Sequence, residues 1–67
     1  MDNITWMLTG NTYKCYRKTD GRVLGGVREH DGTFNAYFFG EFIGEYISQE
    51  TAVEAVLKIV VMRGEDD

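Results

Sequence analysis

The chain has 67 residues, 43 % of them hydrophobic, and a formal net charge of −4. A domain of this size buries only roughly 60 % of its unfolded surface, so a deep cleft with several buried ionisable groups is too costly and an enzyme is not expected. The longest apolar run, residues 59–62, falls far short of the ~20 residues of a membrane span, and the start of the chain lacks the basic and apolar stretches of a secretory signal.

Cys15 has no partner for an internal disulfide, and His30 has no second histidine with which to build a metal site. The expectation is one cytoplasmic domain with neither metal nor cofactor. Its charge is unevenly placed. Between residues 10 and 28, Lys14, Arg17, Lys18, Arg22 and Arg28 face only Asp20, a window of +4, and the remainder carries −8.

Residues 4–8 are β-prone and read as a short edge strand or an N-terminal flap anchored by Trp6. Residues 12–18, 23–29, 34–39 and 42–47 are short runs rich in β-branched and aromatic side chains. They are separated by Asp20-Gly21, Asp31-Gly32 and Gly40-Glu41, and Asp-Gly supplies the positive φ angles of tight hairpins. Ser48 then offers an N-cap, with Glu50 in the first turn. Ala52, Val53, Val56, Ile59 and Val60 recur at helical spacing, and Gly64 fits the position after the C-cap. The predicted fold is α+β: an antiparallel three- to four-stranded meander (12–47) packed on one C-terminal helix (48–63), with a frayed acidic tail (64–67).

Register decides what the helix covers. A two-residue loop at Asp31-Gly32 pairs Val27 with Ala36 and sets Val23, Val27, Phe34, Ala36 and Phe38 on the core face. A two-residue loop at Asp20-Gly21 would drive Lys14 and Lys18 into that core, at a prohibitive desolvation cost. A three-residue loop Thr19-Asp20-Gly21, with the glycine left-handed, places Tyr13 and Cys15 inside instead. The outer face then receives Lys14, Tyr16, Lys18, Arg22, Leu24, Arg28, His30, Asn35, Tyr37 and Phe39, with no acid among them. Basic residues interleaved with aromatics suit phosphates and base edges, or an acidic protein. Such residues also populate ordinary solvated strands. Leu24, Phe39, Ile43 and Ile47 on that side add an apolar strip of the kind that marks interfaces, a homodimer included.

Catalytic patterns are wanting. Glu41 and Glu45 read as solvated charges beside a turn, Cys15 reads as a small core residue, and no glycine lies between a strand and a helix start at phosphate-loop spacing. Gly25 and Gly26 mark a bulge or a close approach of helix to sheet.

Gly26-Val27-Arg28, Phe34 and Ala36 after the Asp-Gly turn, then Gly44, Tyr46, Ser48, Glu50, Ala52 and Ala55, resemble the plant ethylene-response-factor DNA-binding domain. Residues 13–17, Tyr-Lys-Cys-Tyr-Arg, with Gly21 following, look like the arm-type DNA-binding domain of phage tyrosine integrases. Both families set a three-stranded sheet in the major groove, so the resemblance, over residues 12–57, implies that Lys14, Tyr16, Lys18, Arg22 and Arg28 face duplex DNA. It also implies a small accessory protein of a phage or mobile element. An antitoxin-like pattern, an Asp-Gly hairpin followed by an Ala- and Glu-rich helix, fits residues 31–57 as well. The leading expectation is thus a regulatory module whose outer face (Lys14, Tyr16, Lys18, Arg22, Arg28, Tyr37, Phe39) contacts duplex DNA. The alternatives are an inhibitor or adaptor that binds a host protein, and a structural homodimer.

Overall fold

The computed structural model describes residues 3–66. Five strands, β1 (Ile4–Thr9), β2 (Thr12–Arg17), β3 (Val23–His30), β4 (Thr33–Phe38) and β5 (Glu41–Tyr46), form one antiparallel sheet in chain order, followed by helix α1 (Gln49–Met62). The expected meander is therefore extended by a fifth strand. Residues 4–9 pair with β2 along their whole length, from Ile4 opposite Arg17 to Thr9 opposite Thr12.

The 31–32 hairpin has the predicted register, with Val27 opposite Ala36 and both central residues at positive φ. The next turn is displaced by one residue from the expected Gly40-Glu41. Phe39 (φ 49°) and Gly40 (φ 80°) make the turn, and β5 begins at Glu41.

Between β2 and β3, Tyr13 faces Val27 and Cys15 faces Gly25, the pairing expected from the lysine-burial argument. The loop is longer than expected, however. The Arg17 N–H donates to the Arg22 carbonyl, leaving residues 18–21 as the loop, and the register shifts between Cys15 and Tyr16 so that Tyr16 faces Val23. Leu24 is the extra residue of this β-bulge. It is fully buried, correcting its assignment to the outer face, and Val23, expected in the core, is 43 % exposed. A second shift, between Ala36 and Tyr37, turns Ile43 against the core instead of outward.

Helix α1 begins where Ser48 Oγ accepts the Thr51 N–H at 3.2 Å. It ends in a Schellman motif, with Gly64 at φ 68°, its N–H on the Val61 carbonyl and the Glu65 N–H on the Val60 carbonyl. Ala52, Val56 and Val60 are buried against Ile4, Cys15, Leu24, Val27, Ala36 and Phe38. The helix lies over β3, β4 and β5 and makes no backbone approach to β1 or β2. Gly25 permits this close packing, since a Cβ there would collide with the Tyr37 carbonyl and sit 3.0 Å from Val56 Cγ1.

Candidate partner-binding face

On the side of the sheet away from the helix, alternation brings together Thr12, Lys14 and Tyr16 of β2, Arg28 of β3, and Asn35 and Tyr37 of β4. The β3 bulge adds Val23 to this side. Gly26, opposite both Lys14 and Tyr37, has no side chain to raise there. The result is a shallow groove of about 540 Å³, with Gly26 in its floor and Lys14, Val23, Arg28, Tyr37 and Phe39 among its walls.

Two aromatics carry the end of the groove near the 39–40 turn. Tyr37 meets the Phe42 ring edge-on at 5.8 Å between centroids. Phe39 is 41 % exposed, and the Arg22 guanidinium lies 4.8 Å from its ring centroid, a cation–π contact. Phe39 holds this place from a left-handed backbone, a conformation that costs a bulky residue about 1 kcal/mol or more.

Of the seven residues singled out from the sequence, Lys14, Arg28, Tyr37 and Phe39 line the groove. Arg22 joins through Phe39, and Tyr16 lies beside Val23 on the same face. Lys18 does not join them. It stands in the 18–21 loop, its N–H donating to the Asn3 carbonyl. Thr12, Val23 and Gly26 were not anticipated. The Gly25-Gly26 pair was the available signal, and only its first member serves the helix contact.

The face also carries an acid, on the strand beyond those that supplied the expected basic residues. Glu45 lies opposite Asn35 and accepts from Thr33 Oγ1 at 3.1 Å. Asn35 Oδ1 is buried and accepts no hydrogen bond among the described residues.

Arg17, counted in the basic window, is engaged elsewhere. Its guanidinium grips both Asp20 oxygens, from Nε at 3.1 Å and Nη2 at 2.9 Å. Its Nη1 reaches Glu65 Oε1 at 2.9 Å and the Glu65 carbonyl at 3.1 Å. These partners, Asp20 first, raise the Arg17 pKa further. The same bond, helped by the Arg22 N–H, lowers the Asp20 carboxyl to about 2. Arg17 is a clamp between the β2–β3 loop and the residues after the helix.

Burial pushes the Cys15 thiol up to about 11, which suits an inert core sulfur. Among the described residues no three His, Cys, Asp or Glu side chains gather as a metal site, and no helix is long and apolar enough to cross a membrane. Comparison of the chain with protein-family models, with curated proteins and with solved structures finds no match in any of the three.

Proposed function

We propose that the protein is a non-enzymatic adaptor or inhibitor whose outer sheet face takes an acidic segment of another protein. The observation that carries this reading is the composition of the groove: an apolar and aromatic interior (Val23, Tyr37, Phe39, with Phe42 alongside) flanked by Lys14, Arg22 and Arg28. Protein interfaces have this anatomy, an aromatic and Arg-rich centre with a polar rim. DNA interfaces are far more positively charged. Only three cations, Lys14, Arg22 and Arg28, flank this groove among the described residues.

Duplex DNA is the second reading, favoured by the gathering of Lys14 and Arg28 in one groove on a chain that is acidic overall. One experiment separates the two. For a protein partner captured from lysate and then purified, Tyr37→Ala and Phe39→Ala should each weaken binding more than Lys14→Glu. For DNA, Lys14→Glu with Arg28→Glu should abolish binding. The native affinity should then fall by roughly 2 to 3 log units per decade of salt, at about 0.9 per phosphate contact. Absence of duplex binding at low salt eliminates the second reading, and a dominant lysine effect with a steep salt slope eliminates the first.

A further inference from the structure

The open edge of β1 is a surface of a different kind. Its sequence, Ile-Thr-Trp-Met-Leu-Thr, has no charge and no proline, and it pairs with β2 without a bulge. Edge strands are ordinarily guarded by such features against pairing with another chain. The opposite edge, β5, has them: Glu41, Glu45, a register shift and helix contact.

The direction of the β1 backbone groups follows from one bond. The Lys18 N–H donates to the Asn3 carbonyl, so Asn3, and by alternation Thr5, Met7 and Thr9, turn their polar groups toward β2. The Arg17 N–H, bound to the Arg22 carbonyl, points the other way, as this alternation requires. Ile4, Trp6 and Leu8 therefore direct their N–H and C=O groups to the open edge. Their side chains lie on the helix side of the sheet, where Ile4 is buried in the core and the cover thins toward Leu8. Trp6 stacks on Tyr13 there at 5.0 Å, and Leu8 is 69 % exposed.

We propose that a second copy of this chain pairs antiparallel along β1, about a two-fold axis at Trp6. Faces match only when even-numbered residues meet even-numbered residues. Of the two central registers that satisfy this, the one at Trp6 joins every outward-pointing group of Ile4, Trp6 and Leu8, whereas the one at Met7 leaves Ile4 beyond the partner strand. In the Trp6 register Ile4 meets Leu8 of the other copy and Trp6 meets Trp6. The strand is thus complementary to itself without a charge crossing the interface, as an isologous contact needs. Two sheets become one of ten strands, and the partly covered aromatic surfaces of Trp6 and Tyr13 become continuous between the two helices.

The test uses the full chain. Sedimentation equilibrium should show a mass rising toward twice the monomer with concentration. Leu8→Pro removes only an N–H that faces the open edge and should return the protein to monomer with its circular dichroism unchanged. Leu8→Lys, which leaves the backbone intact, should do the same. In this register Thr5 faces Met7 of the other copy in a non-hydrogen-bonded pair, at a Cα separation near 4.5 Å that a disulfide can span. A mixture of Thr5→Cys and Met7→Cys proteins should therefore yield the mixed disulfide well above either self-disulfide. Predominant Met7→Cys self-disulfide would overturn the register. A wild-type protein that stays monomeric at millimolar concentration, or a dimer indifferent to both Leu8 variants, would overturn the proposal.

Discussion

Cys15 and Leu24 are nine residues apart, and only the first was readable in advance. Placing Cys15 inside follows from the cost of burying Lys14 and Lys18. Leu24 and Val23 are both apolar, so composition does not say which of them turns inward, and the choice falls to the bulge beside Gly25. The buried thiol gives a first prediction. Its labelling should be far slower in the native than in the unfolded protein. Because its folded pKa is raised to about 11 against an ordinary 9.0, the neutral-thiol contribution to stability is complete below pH 9 and is lost as pH rises through 11. Asp20 acts at the other end of the scale. Its folded pKa is depressed to about 2 from 3.8, so its contribution is complete above the unfolded value and vanishes as pH falls from 4 through 2. Urea titrations should show this acid limb flattened in Asp20→Asn. The two adjacent glycines separate structure from binding. Gly25→Ala should cost about 1–3 kcal/mol through overpacking. A Cβ at Gly26 meets the Tyr13 carbonyl at 3.3 Å and rises into the groove floor, so Gly26→Val should weaken partner binding more than stability.

Helix α1 was the most legible element, since its cap, its apolar stripe and its terminal glycine all agree. Val56→Asp should unfold the domain, because an unpaired buried carboxylate costs several kcal/mol against a total of ~5 kcal/mol for so small a fold. Circular dichroism decides it. Ser48→Ala should cost only about 1 kcal/mol, the worth of an N-cap. The 39–40 turn was misplaced for a physical reason: a phenylalanine seldom takes positive φ, and the pattern favoured the residues that follow. That strain allows a prediction in two directions at once. Phe39→Gly should raise thermal stability, by about 1 kcal/mol, and weaken partner binding, because the backbone relaxes while the ring under Arg22 is lost. Strand β3 has its own mark. Outward positions are Val23, then Gly26 and Arg28, with Leu24 and Gly25 both inward, so a saturation scan should show the alternation of tolerant and intolerant sites reversing phase at residues 24–25.

At the level of the whole molecule, the separation of charge along the chain was visible from the sequence, but its use was not. Arg17 looked like any other member of the basic window until Glu65, 48 positions away, came within 2.9 Å. Distant pairs of this kind leave no local pattern to read. Arg17→Gln should therefore reduce stability rather than binding, in a denaturant titration set beside a binding assay. The off-centre position of the helix has a further consequence, in time. Covered by α1, strands β3 and β4 can open only when the core itself comes apart. Strand β1 is held by β2, by Ile4 alone of its residues in the core, and by the Asn3 side chain, which accepts the Thr19 N–H at 3.1 Å. An isolated molecule should thus come undone in order, with β1 exchanging its amide hydrogens first and the β3–β4 hairpin last.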